Sequence, residues 1–135
     1  MLKLIIGVKG TGKTKALIKL VNDAVEKSRG NVVCIEKGVK LRFDIKYRAR
    51  LIDVDEYYVD DARSLFGFVS GILASNHDVT DLFIDSALKI CKDDMEAFDK
   101  FVAATADIAE KIGVNVIITA SMPAEAASET VKKYL

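Results

Sequence analysis

The stretch GVKGTGKT, Gly7 to Thr14, sets three glycines, two lysines and two threonines between the apolar run LKLII and the segment KALIKLVNDAV. The chemistry that needs these residue types at this spacing is the binding of a polyphosphate. Phosphate oxygens are met by a row of inward-pointing backbone N–H groups, which requires conformations and close approaches that a Cβ obstructs. Gly7, Gly10 and Gly12 supply them. A helix starting near Lys13 adds unpaired amides and the positive end of its dipole. Lys13 is placed to reach the β- and γ-phosphates, and the Thr14 hydroxyl is a ligand of the kind Mg²⁺ takes. The stretch satisfies G-x-x-x-x-G-K-[ST] without a mismatch, with a strand-like run before it and a helical pattern after it. The expected binding residues are therefore Gly7, Val8, Lys9, Gly10, Thr11, Gly12, Lys13, Thr14 and Lys15.

Such a loop needs a strand to end it on and a helix to begin from, and the rest of the chain repeats that alternation. Five short runs, residues 2–6, 32–36, 49–54, 82–85 and 114–119, are apolar throughout, the pattern of strands buried on both faces of a parallel sheet. Between them, residues 13–28, 61–75 and 93–112 carry apolar residues at helical period. Asp93 is the expected N-cap of the third, and Gly113 its stop. The tail after Pro123, with Ala127, Val131 and Leu135 spaced by four, reads as a last helix with the proline in its first turn. Alternation of this kind implies an α/β domain of three layers, a mainly parallel five-stranded sheet with helices on both faces.

The loop is identified as a Walker A motif, and the chain resembles the P-loop nucleoside triphosphatases. The resemblance implies roles for residues outside the loop as well. Asp85, ending LFID, resembles the Walker B aspartate that holds Mg²⁺ through water, so Thr14 and Asp85 are the expected metal residues and Mg²⁺ with ATP the expected cofactor. Asp-Ser at 85–86 resembles RecA-like proteins, in which a strand after the P-loop helix ends in the glutamate that orients the attacking water; by this resemblance that residue is Glu36. Lys13, Glu36 and Asp85 are thus the expected catalytic residues. In P-loop ATPases with an added strand between the Walker strands, that strand ends in a polar residue near the γ-phosphate, and Thr119 fits by position. The last strand should then lie between the first and the fourth. The deviant Walker A of MinD-like ATPases has lysine directly after the first glycine, where this chain has Val8, so that subfamily is not implied. No N-K-x-D selects guanine, which favours ATP. The resemblance covers 1–135 as one nucleotide-binding domain. The chain is also similar to short bacterial ATP-binding proteins that carry the label of the twitching-motility retraction ATPase, although it lacks the N-terminal domain and histidine segment of true retraction ATPases.

Charge is balanced at 20 basic and 20 acidic residues, so no whole-molecule field argues for nucleic acid or a membrane. Locally, residues 37–50 gather Lys37, Lys40, Arg42, Lys46, Arg48 and Arg50 around Phe43 and Tyr47, and residues 53–61 reverse the sign. A solvated β-hairpin pairing with the acidic block is the expectation. Three functional roles stay open for it: contact with nucleotide phosphates, an arginine offered across a subunit interface, or a patch for a nucleic-acid backbone. His77 falls in a turn and reads as a surface residue. Cys34 and Cys91 lie in apolar runs without metal or redox spacing, which fits buried thiols in a reducing compartment. No run is long enough to span a membrane, and a cytoplasmic protein is expected. The function that accords with these features is a Mg-dependent ATPase, weak or stimulated by a partner. A protein partner or a second copy would supply the missing arginine. A small-molecule kinase and a non-hydrolysing nucleotide sensor are the alternatives.

Overall fold

The apolar runs become strands because both of their faces are covered. In the computed structural model, which describes residues 1–135, they form β1 (Leu2–Gly7), β2 (Asn31–Glu36), β3 (Arg50–Asp53), β4 (Val79–Ile84) and β5 (Asn115–Ser121). All four pairings are parallel and the order is β1-β5-β4-β2-β3, so the last strand lies between the first and the fourth, as expected. Alternate residues of one strand serve opposite layers. Val32 and Cys34 of β2 face α1 (Lys13–Lys27), packing with Leu17, Val21 and Val25. Val33 and Ile35 join the larger core on the other face, with Leu65, Val69 and Leu73 of α2 (Ala62–Ser75) and Phe98, Phe101 and Val102 of α4 (Met95–Ile112). Each fully buried side chain of this size contributes about 1.5–3 kcal/mol relative to exposure. No helix is long and apolar enough to cross a membrane.

Three local expectations are corrected. First, residues 37–49 are not a hairpin. β2 and β3 run parallel, and parallel neighbours need a crossover of a dozen or more residues. The crossover here is an irregular strap laid along α1. Leu41, Ile45 and Ala49, spaced by four, are buried against Leu17, Val21 and Val25, while every residue between them is exposed. Asn22 of α1 ties the strap down, donating to the Asp44 carbonyl at 2.9 Å and accepting from the Lys46 amide at 2.9 Å. Lys46 pairs with Glu26 of α1 rather than with the acidic block, while Lys37 does reach that block at Asp55, 2.6 Å away.

Second, the N-cap of α4 is Asp94, whose carboxylate accepts from the Ala97 amide at 3.1 Å; Asp93 sits in the left-handed region after the short helix α3 (Ala87–Ile90). Third, the tail is not one helix. Pro123 leads into a 3-10 turn over Ala124–Ala126, and α5 (Glu129–Lys133) starts separately. Ser128 accepts from the Val131 amide and donates to Asp99 of α4, which cuts the segment in two. The Tyr134 carbonyl accepts from the Leu4 amide at 2.8 Å, covering part of the β1 edge.

Thr105 belongs to the apolar stripe of α4, and its hydroxyl, fully buried, has no hydrogen-bond partner. Replacing an orphaned buried hydroxyl by a methyl of the same shape removes a desolvation cost. Thr105→Val is therefore expected to raise stability by about 1 kcal/mol, read from the urea midpoint at unchanged slope.

Candidate functional site

At the carboxyl edge of the sheet the strand order sets side by side the loop after β1, the end of β5, Asp85 after β4, Glu36 ending β2 and Asp53 ending β3. This is the edge at which open α/β sheets hold ligands. The two sides of the crevice differ in character, with backbone donors on one and carboxylates on the other.

The donors belong to the loop 7–14. α1 begins at Gly12 with no side-chain cap and no acidic residue in its first turn, whereas α2 and α4 are each capped by an aspartate. The backbone amides of Lys9, Gly10, Gly12, Lys13, Thr14 and Lys15 donate to no acceptor in the chain. Helix starts ordinarily satisfy such groups with a capping side chain or water. Gly10 and Gly12 hold φ of 85° and 87°, the left-handed conformation that turns these amides. Gly7 is needed for space: a Cβ there would lie 2.5 Å from Thr11 Oγ1. That hydroxyl donates to the Val8 carbonyl at 2.7 Å, as does Lys13 Nζ at 3.0 Å, so the loop closes on a single oxygen. Val8, Lys9 and Lys15 are exposed, and Lys9 makes no side-chain hydrogen bond or ion pair.

The acceptors centre on Asp85. Its carboxylate is buried and accepts from Thr14 Oγ1 at 3.2 and 3.4 Å, joining the first turn of α1 to the end of β4. Thr119 of β5 donates to Asp85 Oδ1 at 2.8 Å and accepts from the Ser86 amide at 2.8 Å. Thr119 is 1% exposed, so its hydroxyl is committed to fixing Asp85. Ser86 takes φ of 57°, a strained turn that ends the strand at Asp85 and lets its own hydroxyl donate to Asp85 Oδ2 at 3.3 Å. Ser86 as a positioning group is legible only once Thr119 is known to lie beside it.

Glu36 is 3% exposed, and Oε1 accepts from the Lys40 and Leu41 amides at 3.0 and 3.3 Å. Burial pushes its carboxyl above the ordinary glutamate value; the Leu41 and Lys40 amides pull the other way, while the charges of Asp53 and Asp85 add to the rise. Asp53 has a matching task at the same edge, accepting from the Gly38 amide at 2.8 Å. The start of the strap therefore hangs on two carboxylates, and the sequence does not single out Asp53.

The residues outside this crevice are quiet. Cys34 and Cys91 are buried and unpaired; burial pushes the Cys34 thiol far up and that of Cys91 to about 12, which keeps both protonated. His77 is exposed in its turn. No cluster of three or more His, Cys, Asp or Glu side chains is arranged to hold a metal.

Comparison with known proteins finds the fold. A KaiC-like protein from the hyperthermophilic archaeon Pyrococcus horikoshii OT3 is similar in structure, with a TM-score of 0.70 at 17% identity over 98% of this chain. The chain spans 66% of that protein's length. No family model and no curated protein matches the sequence, so the similarity to proteins labelled for twitching motility gains no support. The α/β fold with a five-stranded parallel sheet, expected from the alternation of runs, is shared with this neighbour.

Proposed function

We propose that the chain, as a single nucleotide-binding domain over 1–135, binds ATP with Mg²⁺ and hydrolyses it slowly or under the control of a partner. The observation that carries this reading is the row of six free amides at an uncapped helix start, facing a carboxylate that already holds the Thr14 hydroxyl. An anion satisfies the amides and gains from the helix dipole. Lys13, now resting on the Val8 carbonyl, needs only to exchange that oxygen for phosphate. Thr14 and Asp85 offer oxygen donors alone and too few for a protein cage, which suits a hard cation that keeps waters and phosphate oxygens as its other ligands. When bound, Mg²⁺ supplies neutralisation of phosphate charge. The fold shared with the archaeal protein supports the same reading.

Glu36 is the residue we assign to orienting water, and its present hydrogen bonds account for slow turnover: it must leave two amides to do so. Thr119 acts on the nucleotide through Asp85. An arginine for the transition state comes from a protein partner or a second copy. The kinase alternative needs a mobile arginine-rich lid, and the only basic segment is pinned along α1 by Leu41, Ile45, Ala49 and Asn22, which speaks against it.

Glu36→Gln is expected to keep ATP affinity within about twofold and to lower phosphate release at least tenfold. Because its folded pKa is raised, Glu36 costs stability increasingly as pH climbs from the ordinary glutamate value through the raised one. The variant should lose that part of the pH dependence of Tm. Phosphate release at the wild-type rate would remove Glu36 from the reaction. Absence of release from wild type, with ATP still bound, would favour the sensor.

A further inference from the structure

The strap has a surface that nucleotide binding does not use. We propose that residues 40–48 bind single-stranded nucleic acid, with Phe43 and Tyr47 as stacking platforms and Lys40, Arg42 and Arg48 as phosphate contacts.

Phe43 is 87% exposed and Tyr47 95%, although apolar positions were available to both: Leu41, Ile45 and Ala49 of the same segment are buried beneath them. The backbone is held by those three anchors, by Asn22 and by Glu36, so the rings stand on a fixed support. Lys40, Arg42 and Arg48 are exposed in the same segment, whereas Arg50, alternating with Leu51 in β3, lies on the opposite face of the sheet. Lys46 is paired with Glu26, but Lys40, Arg42 and Arg48 have no carboxylate within salt-bridge distance, and Asp44 is the only acidic residue among them. Arg42 lies over the Phe43 ring, 4.8 Å from its centroid.

Exposed rings interleaved with unpaired cations match a ligand that presents flat faces and negative charge in alternation, which is the chemistry of unpaired bases on a phosphate backbone. A duplex hides its base faces and would leave the rings idle. Contact with the nucleotide at the loop 7–14 is the poorer use of these cations. Lys40 stays near that edge, where its amide is bound to Glu36, but past Leu41 the strap runs to the opposite end of β2, where Arg48 lines a small cleft with Gly30, Asn31 and Val25.

The test is fluorescence anisotropy of the full chain, without ATP, against a labelled oligothymidylate, the same sequence as a duplex, and phosphatidylserine vesicles as a separate arm. The expected result is saturable binding of the single strand in preference to the duplex. The Phe43→Ala/Tyr47→Ala double variant should bind at least tenfold more weakly at an unchanged salt slope. Arg42→Ala/Arg48→Ala should lower the slope of log K against log salt by about 1.4. All four side chains are exposed, so circular dichroism should report an unaltered fold. Equal binding of duplex and single strand with the rings irrelevant, binding to vesicles alone, or no binding to the oligonucleotide each overturns the proposal. ATP binding does not enter the measurement, so failure here leaves the nucleotide reading standing, and the reverse.

Discussion

Lys13→Ala is expected to weaken ATP binding at least a hundredfold, below calorimetric detection, with no loss of fold. The ammonium group makes a single contact inside the chain, to the Val8 carbonyl at 3.0 Å on the surface of the loop. Neither core cluster includes the side chain. Its removal is therefore silent for stability. In the proposed complex the same group would make charge-assisted hydrogen bonds to two phosphates, each worth about 1.5–3 kcal/mol, so losing both would cost about 3 kcal/mol or more. At 1.4 kcal/mol per factor of ten, that is about a hundredfold in Kd or greater. Unchanged affinity would mean that the loop amides are not aimed at phosphate.

Asp85→Asn should act on a different quantity. The carboxylate is a buried acceptor for three hydroxyls, those of Thr14, Thr119 and Ser86. Asparagine keeps the volume and one acceptor oxygen, and the hydroxyls can rotate, so the stability cost should stay near about 1 kcal/mol. On the proposed reading, the lost negative charge is the one that would hold the cation. ATP affinity in EDTA should therefore be unaltered, while the gain from added magnesium disappears and phosphate release falls at least a hundredfold. A variant that keeps its magnesium response would place the metal elsewhere.

The features that were legible in the sequence share one property: their physical cause is local. A strand covered on both faces must be apolar at consecutive positions, so LKLII and VVCIE announce their burial. A loop of free amides must be glycine-rich, so GVKGTGKT announces its conformation. Asp85 could be placed because it closes an apolar run.

The strap could not be read in the same way, because what holds it comes from afar. Asn22 on α1, Glu36 on β2 and Asp53 on β3 each bind a backbone group of a segment whose own spacing fixes neither helix nor strand. Its apolar residues, spaced by four, are compatible with a helix or a hairpin until the parallel pairing of β2 and β3 excludes the second. The tail differs: Ser128 caps α5 locally through the Val131 amide, a signal the spacing of Ala127, Val131 and Leu135 overrides, and its bond to Asp99 of α4 fixes the cap in place. The commitment of Thr119 to Asp85 likewise depends on β5 lying beside β4. Position made Thr119 a candidate, and the register between these strands gave it its partner.

Binding of a triphosphate at the loop 7–14 is tested most directly by calorimetric titration of the wild-type chain with ATP, in magnesium and in EDTA, beside AMP. Six free amides beside a lysine, joined to Asp85 through Thr14, predict on the proposed reading one saturable ATP site that tightens with magnesium, and AMP bound far more weakly because it lacks the β- and γ-phosphates. AMP binding as tightly as ATP, or no saturable heat with ATP at all, would contradict a polyphosphate site at this loop.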